Sequence, residues 1–133
     1  MAKSLLYTVN ETAQDVAVNG IINLGSVIRR FGQNIKLNGN SISLCGAGYY
    51  KLTVNATISA SAAGDITISV LKNGAGVPGA NASATAAAEG NLINLSVDVV
   101  FRETCCNPLS DVIVTLGGAA ASITNIATTT EKL

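Results

Sequence analysis

Residues 49–60, with the sequence YYKLTVNATISA, decide how the chain is expected to fold. From Leu52 to Ile58 apolar residues alternate with Thr and Asn. Because successive side chains of a β-strand point to opposite faces, this alternation predicts a strand with one buried face and one polar face. Residues 65–72 and 92–103 show the same period of two. The dominant pattern of the chain therefore predicts β-structure.

Turn signals separate these stretches, and Asn19-Gly20 and Asn73-Gly74 are clear examples. An Asn-Gly pair favours the positive φ angles of tight hairpins. With the turns as boundaries, the pattern predicts about ten strands. They are expected near residues 4–9, 14–18, 21–24, 34–38, 41–45, 49–60, 65–72, 92–103, 110–116 and 121–129. Such spacing is typical of a sandwich or barrel, and residues 81–88 are expected to form an extended loop or an edge strand.

The composition indicates a folded chain that associates with other protein surfaces. Its 133 residues are expected to form one domain, 1–133, and 48% of them are hydrophobic. Only 12% are charged and the formal net charge is +0, whereas about 25% are charged in an average soluble domain. Such a surface is poorly protected against association. The alternative is a protein that is merely less soluble, but the small and β-branched apolar residues favour buried contacts between subunits.

The aromatic content points in the same direction. Aromatic residues make up 4% of the chain and Trp is absent, so few large side chains are available to fill a sandwich core. Burying a second apolar surface between copies would offset this deficit.

Charge and hydropathy argue against nucleic-acid and membrane partners. The one basic pair, Arg29-Arg30, is better explained by a solvated loop or an ion pair between subunits than by a phosphate contact. No apolar run approaches the length of about 18 residues expected of a membrane span. The first residues lack the apolar core of a signal peptide, so synthesis in a cytoplasm without Sec export is expected. Such a protein can still reach the outside on a particle released by lysis.

The residues needed for common catalysis are missing from the pattern. The chain has no His, so Ser-His-Asp and Cys-His arrangements cannot be built within one chain. Most acidic residues lie near turns, as Asp65 and Glu89 do. Asp98 interrupts an apolar strand and is expected to be solvated or to face an interface. No enzymatic activity, metal or other cofactor is therefore expected.

Three cysteines, Cys45, Cys105 and Cys106, leave several states open. Zinc is not expected because His is absent and the Cys spacing fits no zinc-ligand pattern. The thiols could be buried and reduced, acting as small apolar side chains. The adjacent pair could form a disulfide with each other, or one of them could reach Cys45.

Several short motifs resemble a known family. Residues 46–54, GAGYYKLTV, resemble the G-x-Y-x-V strand of the tumour-necrosis-factor and C1q-like jelly roll. Residues 66–74, ITISVLKNG, resemble the next strand of that family, and residues 123–127 fit the position of its last core strand. The resemblance implies an all-β antiparallel β-sandwich, a TNF/C1q-like jelly roll, that forms a homotrimer.

The whole chain also resembles small jelly-roll proteins of bacteriophages and prophages of Firmicutes. Residues 6–10 (LYTVN), 16–20 (VAVNG), 29–32 (RRFG) and 105–107 (CCN) carry this likeness. It implies a capsid decoration protein or a head fibre, located on the virion and made in the cytoplasm of the bacterial host. These proteins are also similar to trimerisation domains of bacterial collagen-like filaments, but this chain has no Gly-X-Y repeat.

Two classes of function follow from these observations. The first is a trimeric, non-enzymatic structural protein of a virion, whose partners are its own copies and the major capsid protein or another virion protein. The alternative is a receptor- or glycan-binding tip module, or the trimerisation end-cap of a surface filament. Glycan binding often uses an aromatic platform, but Tyr49 and Tyr50 should point to opposite faces of their strand.

The same resemblance suggests where contacts would lie. Apolar side chains of the two long strands are expected to line the threefold axis, namely Tyr50, Leu52, Val99 and Phe101. Residues 1–10 are expected to be either an attachment segment, with Leu5, Leu6 and Tyr7 as contacts, or simply the first strand of the sheet.

Overall fold

Alternating apolar and polar residues form antiparallel strands along the chain. The structure is a computed structural model and describes residues 4–103 and 110–133. In these ranges eleven strands follow one another. They are β1 (Leu5–Asn10), β2 (Gln14–Val16), β3 (Ser26–Phe31), β4 (Ile35–Asn38), β5 (Ser41–Leu44), β6 (Gly48–Ala60), β7 (Gly64–Lys72), β8 (Ala75–Ala86), β9 (Leu92–Glu103), β10 (Ser110–Gly117) and β11 (Ala121–Lys132).

The strands form two sheets that pack face to face. Sheet I has the order β3-β1-β11-β6-β9, with β2 also paired to β11, and sheet II has the order β4-β5-β10-β7-β8. Every pairing of these strands is antiparallel. The predicted all-β antiparallel sandwich is therefore confirmed. The long strand β6 is a central strand of sheet I, between β11 and β9, as its regular alternation suggests.

Two strands differ from the sequence prediction. The predicted strand at 21–24 contributes only an isolated bridge from Ile21 to Thr115, and β3 (Ser26–Phe31) forms just after it. All six side chains of β3 are exposed, so no alternation marks this strand in the sequence. Strand β8 begins earlier than the expected edge segment 81–88, and its register against β7 shifts between Ser69 and Leu71.

The core lies between the two sheets and is mostly aliphatic. Leu52, Val54 and Ile58 of β6 and Ile66 and Ile68 of β7 are fully buried. Burying each such side chain stabilises the fold by about 1.5–3 kcal/mol relative to exposure. Aliphatic residues thus fill most of the space that aromatic side chains occupy in other sandwiches.

The side chains expected to line a threefold axis belong to this core. Tyr50 and Leu52 are 0% exposed, and Val99 and Phe101 are 6% and 8% exposed. The expectation that they contact other subunits is wrong, because side chains packed between the two sheets of one chain have no surface left for a second copy. Their strand neighbours, which point the other way, are the residues available for contact.

The first described residues form a strand within sheet I. β1 pairs with β11 on one side and with β3 on the other, so this part of the chain is the first strand rather than a separate arm. Leu6 is fully buried, whereas Leu5 and Tyr7 are half-buried and point outward. Of the three attachment residues expected from the sequence, Leu6 is therefore excluded as a contact.

Candidate interaction surface

The outer face of sheet I can be mapped from the strand register. Residues paired across neighbouring strands point to the same face, so each set of partners forms a row across the sheet. The first row is Phe31, Leu5, Glu131, Lys51 and Val100. The second row is Arg29, Tyr7, Thr129, Thr53 and Asp98. The third row is Ser26, Val9, Ala127, Asn55 and Ser96.

Large apolar side chains are exposed on this face. Phe31, Tyr49 and Val100 are each more than half exposed, and Leu5 and Tyr7 are half-buried beside Phe31. In the described part of the chain, none of the large exposed apolar side chains lies on a strand of sheet II. Because exposed apolar groups that cluster on one face mark interaction sites, sheet I is the better candidate for contact with another protein.

Polar side chains in the middle of this face bind one another. Thr57 Oγ1 donates to Asn94 Oδ1 at 2.8 Å, and Ser96 Oγ donates to Asn55 Oδ1 at 2.7 Å. A polar group that already has a hydrogen-bond partner costs less free energy to bury. These cross-strand pairs satisfy the hydroxyl protons and the amide oxygens, so a partner that covers the face would need to supply acceptors mainly for the amide NH2 groups.

Sheet II carries a similar set of polar pairs on its outer face. Thr67 donates to Ser83 at 3.0 Å, and Ser69 donates to Asn81 at 2.7 Å. Because both outer faces have hydroxyl–amide pairs, these pairs do not show which face binds a partner. The exposed apolar residues of sheet I are the feature that distinguishes its outer face from that of sheet II.

The single exposed tyrosine of β6 is partly covered. Tyr50 is buried and Tyr49 is 54% exposed, as the strand pattern predicts. The guanidinium carbon of Arg102 lies 5.9 Å from the centre of the Tyr49 ring, a cation–π contact. Because Arg102 covers one face of the ring, Tyr49 does not offer a free stacking platform for a sugar on that face.

Two open clefts flank β3. One, of about 400 Å³, lies between β3 and β4 and is lined by Val27, Arg30, Gln33, Lys36 and Leu37. The other, of about 310 Å³, lies between β3 and the end of β1. Small-molecule sites usually enclose most of a ligand in an apolar cavity. Both clefts are open to solvent and neither has a mainly apolar lining, so they do not resemble such a site.

Charge is distributed unevenly along the strands. In the described residues every Lys and Arg lies in the half of the sandwich that contains Glu103 and the end of β11, called here the basic end. The four carboxylates of the opposite, acidic end are Glu11, Asp15, Asp65 and Glu89. A chain with a formal net charge of +0 is thus polarised along its strands.

One ion pair is buried at the basic end. Lys72 Nζ lies 2.6 Å from Glu103 Oε1 and also donates to the backbone oxygen of Arg102 at 2.8 Å. The Glu103 side chain is only 2% exposed. This pair joins β7 of sheet II to β9 of sheet I, so its role is to hold the sheets together.

A tyrosine hydroxyl lies near this pair. The single O–H of Tyr50 donates to the backbone oxygen of Gly46 at 2.9 Å and shares this bond with the backbone oxygen of Cys45 at 3.2 Å. Burial raises the pKa of Tyr50 above its usual value, and the negative charges of Glu103 and Cys45 raise it further. The hydroxyl is therefore protonated near neutral pH, and its hydrogen bond stabilises the loop before β6.

Neither a metal cluster nor a membrane-spanning helix emerges from the described part of the chain. Within it, no group of three or more His, Cys, Asp and Glu side chains could hold a metal ion. No helix there is long and apolar enough to cross a membrane. Cys45 is exposed, and its two possible disulfide partners, Cys105 and Cys106, lie outside the described residues.

Comparisons with known proteins identify the fold. No protein-family model matches the chain, and no curated protein matches it significantly in sequence. Murine APRIL at pH 5.0 is similar in structure, with a TM-score of 0.72 and 13% identity over 98% of this chain and 99% of APRIL. The globular domain of zebrafish complement 1qA has a TM-score of 0.67 and 6% identity over 97% of this chain and 95% of that domain. The phage vertex protein P5 of PRD1 has a TM-score of 0.62 and 12% identity over 97% of this chain and 95% of P5.

These likenesses agree with the resemblance seen in residues 46–54. The chain has a TNF/C1q-like jelly-roll fold, and the similarity spans nearly its whole length. At these identities the comparisons establish the fold alone.

Proposed function

We propose that the chain is a non-enzymatic structural protein of a bacteriophage particle, a homotrimer that binds the surface of the assembled capsid as a decoration or head-fibre protein. It is made in the cytoplasm of the bacterial host and ends on the virion. The observation that carries this proposal is the outer face of sheet I, where Phe31, Tyr49 and Val100 are exposed on the same face as cross-strand hydroxyl–amide pairs and the oppositely charged neighbours Lys51 and Glu131.

Self-association explains this face better than solvent exposure. Apolar side chains at both edges of the face gain free energy when water is excluded from them. The hydroxyl–amide pairs on the same face already satisfy their hydroxyl protons and amide oxygens, which lowers the free-energy cost of covering them. A second copy of the chain supplies apolar groups of the same kind, and the TNF/C1q-like fold is the architecture for which the sequence resemblance implies a homotrimer.

The virion location is supported by two independent likenesses. Phage vertex protein P5 of PRD1 has the same type of fold. Residues 6–10, 16–20 and 29–32 carry the motifs of the phage and prophage proteins described above. A trimer that binds the assembled capsid but not its free subunits would stabilise the particle by mass action.

The oligomeric part of the proposal is tested by the solution mass. Light scattering of the purified protein in reducing and in non-reducing buffer should give three times the chain mass of 13.4 kDa in both. A monomer in both buffers would contradict the proposal. A trimer lost only on reduction would assign assembly to the cysteines rather than to sheet I.

The location is tested on particles from the organism that encodes the chain. Phage particles released after induction are purified on a density gradient and probed with an antibody against the chain, by immunoblot and by immunogold electron microscopy. Label on the capsid surface is the expected result. Particles that lack the chain would refute the virion role even if the protein is a trimer.

A further inference from the structure

We propose that neighbouring copies in the homotrimer pack with the β3 edge of one copy against the β9 edge of the next, and that Arg29 forms an ion pair with Asp98 of the neighbouring copy. This inference rests on the proposed homotrimer and adds to it the contacting edges and the residues that set their register.

Within residues 4–103 and 110–133, neither edge of sheet I has a second partner strand. In these ranges β3 pairs only with β1, and β9 pairs only with β6. β3 is exposed on both faces, with Val27, Ile28 and Phe31 each more than two-fifths exposed. A strand of this kind is a natural contact site, because an unpartnered edge with exposed apolar side chains favours association.

Arg29 and Asp98 stand in the same row at opposite edges of the sheet. Four strand spacings of about 4.8 Å separate them, so they are about 19 Å apart and cannot bind each other within one chain. In the described residues Arg29 contacts no carboxylate, and its guanidinium only donates to the backbone oxygen of Ile28 at 3.0 Å. Asp98 is 59% exposed and lies 3.8 Å from Lys51, at the limit of an ion pair.

A ring of copies brings the two edges together at equal height. Rotation about an axis parallel to the mean strand direction does not change the position of a residue along that axis. Because each strand of a sheet is rotated by roughly 20–25° relative to its neighbour, the β3 edge of one copy and the β9 edge of the next cross at an angle, but the second row still places Arg29 at the same height as Asp98.

The two neighbouring rows are compatible with the same contact. The first row places the apolar side chain of Phe31 at the same height as that of Val100, and the third row places Ser26 at the same height as Ser96. Apolar, oppositely charged and polar pairs thus follow one another along the joint. The three rows thus make the β3 edge and the β9 edge complementary in charge and in apolar character. This complementarity favours a second copy of the chain as the partner that binds each edge.

A twofold contact between identical edges lacks this complementarity. Two β3 strands that meet about a twofold axis would bring two Arg29-Arg30 pairs close together, and like charges disfavour such a contact. The observed charges therefore favour a closed ring built from unlike edges.

The test exchanges the two charges. Arg29→Asp and Asp98→Arg each place like charges at the joint and should weaken assembly roughly a hundredfold. The double variant, Arg29→Asp with Asp98→Arg, restores opposite charges and should recover the wild-type mass in light scattering. Glu89→Arg is the matched control for Asp98→Arg, since it makes the same change of charge on an exposed residue of the acidic end, away from the joint, and it should remain trimeric.

The outcomes separate this inference from the trimer itself. A wild-type monomer would overturn both. A wild-type trimer whose single variants assemble normally, or whose double variant fails to recover although circular dichroism shows a folded chain, would overturn the Arg29–Asp98 contact alone. Should a reversed variant fail to fold, Arg29→Gln and Asp98→Asn replace it, and each should weaken the trimer while Glu89→Gln does not.

Discussion

The ring of Tyr50 lies nearly parallel to the ring of Phe101, with the ring centres 6.2 Å apart and an angle of 13° between the planes. The two residues are directly paired across β6 and β9, and both point into the core. Since the chain has few aromatic residues, this pair fills a large part of the core at the basic end.

Removing one ring should therefore destabilise the fold strongly. Phe101→Ala is expected to lower the free energy of unfolding by about 3–5 kcal/mol through lost burial and a residual cavity. Denaturant unfolding measures this change. Leu92→Ala on the same strand is the control, because Leu92 is 70% exposed and its loss should change stability by only about 0.5 kcal/mol. Equal stability of the two variants would contradict the placement of Phe101 in the core.

Alkaline pH should weaken the fold through Tyr50. Burial raises the pKa of Tyr50 in the folded chain above its value of about 10 in the unfolded chain. The contribution of the protonated hydroxyl to the free energy of unfolding is therefore complete below pH 10, and it is lost as the pH rises through the pKa of the folded chain. Unfolding measured between pH 8 and pH 11 should show this fall in wild type. Tyr50→Phe should be less stable at pH 8, because the hydrogen bond that the hydroxyl shares between two backbone oxygens is lost, and its free energy of unfolding should fall less steeply above pH 10.

The matched control for this experiment is Tyr49→Phe. The Tyr49 side chain is exposed, and the variant should keep the alkaline fall of the wild-type protein. A Tyr50→Phe variant that loses stability with pH as steeply as wild type would rule out Tyr50 as the cause.

Breaking the Lys72–Glu103 pair from one side should be costly. Lys72→Met leaves the Glu103 carboxylate buried without its cation, and a loss of about 3–5 kcal/mol in the free energy of unfolding is expected. The double variant Lys72→Met with Glu103→Leu removes both charges and should recover most of that loss. A double variant that is no more stable than Lys72→Met would mean that the charges are not coupled.

The two outer faces should respond differently to a new charge. Val100→Glu adds a carboxylate to an exposed position of sheet I and should prevent trimer formation, as measured by light scattering. Thr115→Glu adds the same group to a partly exposed position of β10 in sheet II and should leave the mass unchanged. Loss of the trimer in the Thr115 variant, with the Val100 variant intact, would move the contact to sheet II.

Much of the fold could be predicted from local sequence. Residues 49–60 alternate because one face of β6 packs against sheet II and the other stays outside, so the strand appears almost at its true bounds. β3 could not be predicted in this way, since Ser26–Phe31 is exposed on both faces and has no alternation to detect. A local sequence pattern therefore predicts a strand that has one buried face, and it does not predict a strand whose two faces are both exposed.

The candidate site was only partly predictable. The sequence identified Arg29 and Asp98 as residues that could meet an interface. Their shared row depends on four successive strand pairings between distant parts of the chain, which no local pattern specifies. The same limit explains the error over Leu52 and Val99, because alternation identifies the apolar face of a strand without showing that a second sheet of the same chain covers it.

The polarity along the strands has a consequence for how the protein behaves near charged materials. Although its formal net charge is zero, the separated basic and acidic ends give the molecule an electric dipole along the strand direction. Copies arranged around an axis parallel to the strands would add their dipoles. Such a protein should be retained at low ionic strength by both anion- and cation-exchange resins, and it should adsorb to each in the opposite orientation.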